Sequence, residues 1–384
     1  MKRAVAVAAG LLAATGLAGC GSALRDISRG GKVAGSTLNV YSLLPQPGIG
    51  AARDMVDGEK LAIREVRGTA GPYAINFLSI DEGAPGGRDG ARESVPAMRE
   101  AIADPQVTAL IGPAGSDTAR SAVPLLNAAG ILEVVPGAGY PGFTDPVGPG
   151  EPARWQPSGR VTMARVTGDD RDQAEAIVKT AQAATGRRSP RVTVEQEPGR
   201  VADALVEALR AAGARLEEDP GRADGFAYAG EDPENGAAVA HGLAREHAGV
   251  PIILPDALTR AGVAKRLSPA ARRRAVFLSS APEPGSSAAL RRLEADLRAA
   301  FGRGPGPYAA VGYEAMRSVL AAIRSAGARA NSRQAVIDAY FAAAERRGTV
   351  LGDYALGPRG RIAPARFTAF RLRDGRAEYL KGLD

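Results

Sequence analysis

An α/β architecture of two doubly wound lobes is the fold class this sequence predicts, and three features predict it. Short apolar runs alternate with amphipathic segments in the order β-α-β-α-β-α-β from Leu38 to Val135. That is the pattern of a parallel sheet covered by helices on both faces. Two Gly/Pro-rich stretches, Ala138 to Gly159 and Ala281 to Gly285, interrupt the rhythm and read as crossings between lobes. A chain of 384 residues has room for two such units.

The composition narrows the function classes. Apolar residues make up 45% of the chain, enough for a sizeable core. One Cys and two His exclude a disulfide framework and argue against a Cys/His zinc site. His241 and His247 are spaced so that one helix face cannot present both to a metal, and both are expected on a helix surface. The net charge of +7 comes mostly from Arg interspersed with acids, and aromatics are 5%, which disfavours nucleic-acid binding.

The first twenty residues carry Lys2 and Arg3, an apolar segment and then small residues, the layout of a secretory signal peptide. They end Leu17-Ala18-Gly19-Cys20, which resembles the bacterial lipobox and implies cleavage before Cys20 with a diacylglyceryl group on its sulfur. A plain signal peptide with an incidental Cys is the alternative. Two acyl chains would anchor stably where one is marginal. Gly21 to Thr37 is polar and Gly/Ser-rich, a flexible tether.

Leu38 to Leu44 predicts the first strand, ending in a loop at Pro45 to Gly48, with a helix over about Asp57 to Val66. Ala74 to Ile80 predicts a second strand ending at Asp81, and Ala91 to Ala103 a helix burying Val95, Met98 and Ile102. The stretch from Val107 to Gly139 is a strand–helix–strand unit. Its strand stops at Gly112-Pro113, and Gly115-Ser116-Asp117 offers a small residue, an N-cap hydroxyl and an acid before the helix. Ile131 to Val135 is the next strand, and Pro136 to Gly139 the next small-residue turn. Ligands dock at the carboxyl ends of strands in open α/β sheets, and a helix starting at Ser116 suits a small anion. An ordinary αβ unit with tight turns is the competing reading.

Trp155, the single Trp, either lines a cleft or caps its loop. In the second half, helices are predicted at 172–184, 201–212 and 234–247, and strands at 191–194, 225–228, 251–254 and 275–278. Pro255-Asp256 sits at a strand end. Helical stripes follow at Leu290-Leu293-Leu297-Phe301, Met316-Val319-Leu320-Ile323 and Val336-Ile337-Tyr340-Phe341, then a β-like tail from Gly352 to Leu380.

Catalytic patterns fare poorly. Gly137 to Gly142 matches G-x-G-x-x-G in letters, but Pro141 opposes the helix that a dinucleotide site needs. There is no Walker A sequence or nucleophile elbow, and Ser116 has no credible His partner. No catalytic residue, metal or cofactor is expected.

Taken in order, GEKLAIREV (58–66), SID (79–81), ALIGPAGSDTARSAVPLLNAAGI (109–131), ARVTGDDRDQ (164–173), YAGEDPENG (228–236), LPDAL (254–258), AAVGYEAMRSVLAAIRSAG (309–327) and VLGDYALGPRG (350–360) resemble one family. It is the type I periplasmic-binding-protein superfamily, specifically the branched-chain amino acid (leucine/isoleucine/valine) binding proteins of ABC importers. The resemblance implies two Rossmann-like lobes joined by a three-strand hinge, with residues 38–157 and 283–349 in the first lobe and 158–282 and 350–384 in the second. It implies a monomer on the outer face of the bacterial cytoplasmic membrane that hands a small solute to permease subunits.

It also implies a binding site. Gly115 and Ser116 contribute at the helix start, Ser116 hydrogen-bonding the ligand. Backbone contacts come from Ala138 and Gly139, and Asp256 holds the ammonium of an amino acid. The chain departs from the pattern where Gly139 replaces a hydroxyl residue, Glu231 an aromatic and Ala51 lies near another aromatic place. Glu231 either favours a cationic or polar ligand or is simply solvated. A ligand sensor of the same fold, not coupled to transport, is the alternative function.

Overall fold

The computed structural model describes residues 32–45, 51–83 and 90–380. The signal peptide, Cys20, most of the tether and the Gln46-Pro47-Gly48 loop lie outside the described residues. The last tether residues are docked rather than free. Lys32 pairs with Ser332, and the Val33 side chain is buried among core side chains, which takes its apolar surface out of water.

The first sheet has the order β2-β3-β1-β4-β5-β6. Its strands are β1 (Thr37–Leu44), β2 (Thr69–Ala70), β3 (Tyr73–Asp81), β4 (Val107–Ile111), β5 (Leu132–Val135) and β6 (Met163–Arg165). All neighbours are parallel except β2 with β3. The register between β1 and β3 runs unbroken from Thr37 opposite Ala74 to Leu44 opposite Asp81, so both strands end at one edge. The near-continuous apolar burial of β1, β4 and β5 fits a sheet covered on both faces.

Helix α1 (Ala52–Glu65) covers one face together with α9 (Ala288–Phe301), α10 (Ala309–Ala326) and α11 (Arg333–Ala342). Helices α2 (Gly90–Ala103) and α3 (Ser116–Ala128) cover the other, with Met98, Ala101, Ala122 and Leu126 buried against Leu43, Leu110 and Ile131. Contact between α1 and α10 is unusually close. A Cβ on Gly58 would lie 2.0 Å from the Ala309 carbonyl oxygen, and one on Gly312 would lie 2.0 Å from that of Met55. The two glycines therefore let backbone meet backbone.

The second sheet has the order β16-β15-β11-β10-β9-β7-β8. Its parallel part is β7 (Arg191–Gln196), β8 (Arg215–Leu216), β9 (Gly225–Ala229), β10 (Ile252–Leu254) and β11 (Ala275–Ser279), and β15 (Thr368–Arg373) and β16 (Arg376–Leu380) add an antiparallel edge. Helices α4 (Asp170–Thr185) and α5 (Arg200–Ala211) pack on one face; α6 (Pro233–Glu246), α7 (Asp256–Arg260) and α8 (Pro269–Arg274) pack on the other. A small antiparallel sheet, β12 (Glu345–Arg346), β13 (Tyr354–Leu356) and β14 (Ile362–Ala363), lies beside the first lobe.

The chain crosses between lobes three times: after β6, after β11 and after β14. Two crossings come later than the boundaries expected at 157/158 and 349/350. Met163–Arg165 completes the open edge of β5 and so stays with the first sheet. Val350, Tyr354, Leu356 and Ile362 join the first lobe's core. Trp155 caps its loop, packing edge-on against Phe143 (5.2 Å between centroids) and Tyr140 (6.4 Å) with the Arg154 guanidinium over its ring. The two His are not idle surface groups: His241 Nε2 accepts a hydrogen bond from Ser268 N, and His247 packs on Phe226.

Candidate functional site

The carboxyl ends of both parallel sheets face one another, and the residues beyond them form a crevice between the lobes. From the first lobe come Glu82 after β3, Ala114 to Ser116 after β4, and Gly137 to Gly139 after β5. From the second come Asp170 at the start of α4, Glu231 after β9, and Asp256 and Arg260 on α7. Apolar walls are supplied by Pro45, Ala51, Ala52, Met55, Ala257 and Ala261.

Gly115, extended at φ −96° and ψ 145°, is the N-cap of α3, so Ser116 is the first helical residue and not the cap expected from its hydroxyl. Its Oγ accepts hydrogen bonds from Gly139 N (3.0 Å) and Tyr140 N (3.3 Å), tying the helix start to the next turn. The Ser116 backbone N–H points across the crevice. It donates to both carboxylate oxygens of Glu231 at 2.9 Å, with Asp117 N adding a longer contact at 3.4 Å. A carboxylate at a helix N-terminus is favoured by free N–H groups and by the helix dipole.

Glu231 itself is held by its turn. Glu197 accepts from Glu231 N and Asp232 N, and Asp232 caps α6 with Pro233 at its first position. Glu231 is therefore buried and bonded rather than solvated.

Asp256 is expected to await an ammonium, but both of its oxygens already have partners. Oδ2 accepts from Arg260 Nε (2.8 Å) and the Ser280 hydroxyl (3.0 Å), and Oδ1 from Ser280 N (2.8 Å) and the Tyr308 hydroxyl (2.5 Å). The cation beside it is Arg260, which also reaches over to the first lobe. There it donates to the carbonyls of Ala114 and Gly137, each at 2.9 Å. Gly137 permits this, since a Cβ there would stand 2.6 Å from the guanidinium.

Ala138 is buried, and its carbonyl accepts from the buried Arg165 guanidinium, which also binds the Tyr140 carbonyl. Gly139 lies against Asp170: its carbonyl accepts from Asp170 N at 2.9 Å, and a Cβ would stand 2.2 Å from Asp170 Oδ1. That carboxylate occupies the space a side chain at position 139 would need. Asp169 caps α4 in a reciprocal capping box with Asp172, which fixes where Asp170 points.

Burial and mutual repulsion govern the charges. Burial pushes the Glu82 carboxyl up to about 7 although Ala114 N and Gly115 N each donate to it at 2.8 Å. Asp170 is raised to about 8 by burial and by the neighbouring Asp169 and Glu231, and Glu231 is raised by burial and by Asp117. Sequence reasoning missed Glu82, Arg165, Asp170 and Arg260. Arg260 had a readable signal, an acid four residues earlier on a helix, and Glu82 follows directly on a strand end that had been identified. Arg165 and Asp170 carry no such local mark.

No family model and no curated protein matches the chain. Solved structures do. A leucine-binding protein, LivK, of Thermotoga maritima MSB8 is 18% identical with a TM-score of 0.73, covering 89% of this chain and 97% of that one. The branched-chain amino acid transporter substrate-binding protein LivJ of Streptococcus pneumoniae, in complex with isoleucine, is 16% identical at a TM-score of 0.68, covering 90% and 100%. An ABC transporter solute-binding protein from R. palustris in complex with benzoate is 18% identical at 0.68, covering 90% and 95%. The chain has the two-lobed fold of the type I periplasmic-binding proteins.

Proposed function

We propose that this chain is an extracytoplasmic solute-binding protein that captures an amino acid or similar small polar solute between its lobes and delivers it to an ABC importer. The observation that carries the reading is the crevice itself. The backbone amides at the start of α3, the carbonyls of Ala114 and Gly137, and the acids and Arg260 of the second lobe converge where two open sheets end. A zwitterion needs donors at one end and acceptors at the other, and opposing lobes offer both. The reading is of a binder, not an enzyme. On this reading the solute would meet Gly115, Ser116, Ala138, Gly139, Glu231 and Asp256, with Glu82, Asp170 and Arg260 beside them. Lipidation at Cys20 would hold the protein at the outer face of the membrane as a monomer serving permease subunits, and among the described residues no helix is long and apolar enough to cross a membrane.

Thermal unfolding of the chain from residue 21 against an amino acid panel tests the binding role. A rise with at least one solute that keeps growing with the logarithm of its concentration is expected. No rise with any amino acid or small carboxylate would remove the proposal. The anchor is tested separately by mass spectrometry and membrane fractionation of the wild type and Cys20→Ser: the wild type carries diacylglycerol and sediments with membranes, the variant does neither.

A further inference from the structure

The crevice is already filled, and what fills it is a carboxylate and a cation belonging to the protein. Glu231 lies on the Ser116 and Asp117 amides, and Arg260 lies on the Ala114 and Gly137 carbonyls. Both side chains come from the second lobe and all four backbone partners from the first. The remaining cavity is about 30 Å³, room for a water or two and for no amino acid. Glycine at 115 and 137 makes the fit, because a Cβ at either position would meet the Glu231 carboxylate (3.2 Å) or the Arg260 guanidinium (2.6 Å).

We propose that Glu231 and Arg260 are an internal stand-in for the solute, a pair that latches the lobes shut without ligand and must be displaced for a solute to enter. The proposal rests on reading the crevice as the solute site, and its latch half stands without that reading. Hydrogen bonds with one charged partner are the strong ones. Closure here exchanges the hydration of a carboxylate and a guanidinium for three such donor groups at 2.9 Å, the Ser116 N–H shared between both Glu231 oxygens and two Arg260 N–H groups on the carbonyls. The Arg260 guanidinium spans two carbonyls on different turns while its Nε stays on Asp256, a three-way reach that an ammonium cannot reproduce.

The test measures lobe separation with no solute present. The chain from residue 21 keeps every described residue and has no Cys, so Arg120→Cys on α3 and Glu234→Cys on α6 give one spin label on each lobe. Both side chains are solvent-accessible. Double electron–electron resonance on dialysed protein should give a single short-distance population. Adding Glu231→Ala, or separately Arg260→Lys, should move the main population outward by more than about 2 Å, the scale of a domain rearrangement. Arg260→Lys keeps a cation beside Asp256 and so keeps the test alive if the Ala variant does not fold. Distances unchanged in the folded variants would overturn the latch, as would a wild type already spread over open forms. Because no solute is added, a failed amino acid panel and a failed latch are separate results.

Discussion

Glu59 sits on α1 with its side chain wholly buried, and neither carboxylate oxygen has a well-formed hydrogen bond. Burial pushes its carboxyl from the usual 4.5 to about 8, with the Ser42 hydroxyl and Lys60 only partly offsetting the desolvation. Between these two values the folded protein holds a proton that the unfolded chain has lost. Stability from this group is therefore complete below about pH 4.5 and falls as pH rises toward 8, by roughly 5 kcal/mol at 1.36 kcal/mol per pKa unit. Glu59→Gln removes the titration while keeping the shape. Its buried amide carries a cost that does not change with pH, so the diagnostic quantity is a slope: the variant gains on the wild type steadily from about pH 4.5 to about pH 8 and no further above it. Urea unfolding followed by the fluorescence of Trp155 reads the lobe that contains Glu59. Parallel curves for the two proteins across that range would refute the reasoning.

Three further outcomes follow from named contacts. Gly312→Ala places a methyl against the Met55 backbone carbonyl, which has no flexible side chain to give way, and should cost about 3 kcal/mol or more in thermal unfolding; an unchanged Tm would show that α1 and α10 can slide apart freely. Ser116→Ala leaves the buried amides of Gly139 and Tyr140 without their acceptor and should weaken solute binding about tenfold with the far-UV circular dichroism intact; unaltered affinity would mean that the turn does not touch the solute. Gly139→Ser should lower the Tm on its own, and Asp170→Ala should restore it in the double variant, because the clash is with the Asp170 carboxylate; additive losses would contradict that.

The parallel architecture was readable because its elements are local. Val107 to Ile111 is apolar throughout and bounded by Gly112-Pro113, and the stripes on α9 and α10 keep helical spacing over several turns. What escaped was determined by contacts far apart in sequence. Whether Met163–Arg165 stays with the first sheet depends on the free edge of β5, and whether Tyr354 packs with the first lobe depends on partners such as Glu314, forty residues away, which accepts from its hydroxyl at 3.0 Å. The site shows the same division. The strand ends and the start of α3 were legible from Gly, Pro and Ser. Two partners of Asp256 were not, since Ser280 and Tyr308 lie 24 and 52 residues away and reach it only after the second sheet and α10 are in place.

That same long-range wiring sets a condition on affinity. If a solute binds only molecules in which Glu231 and Arg260 have let go, its apparent dissociation constant is the intrinsic one divided by the open fraction. One open molecule in ten weakens binding tenfold, and each further 1.4 kcal/mol of latch strength weakens it tenfold again. A solute carrying one charge releases only half of the stand-in: an anion replaces Glu231 at Ser116 but leaves Arg260 on the Ala114 and Gly137 carbonyls. A zwitterion replaces both halves at once, so discrimination between an amino acid and a plain carboxylate comes from the bonds each must break before it can make its own. Isothermal titration of an amino acid and its deaminated acid into wild type and Arg260→Lys measures this directly. The preference for the zwitterion should shrink in the variant, whose ammonium no longer spans both carbonyls, and a preference of equal size in both proteins would show that discrimination arises elsewhere.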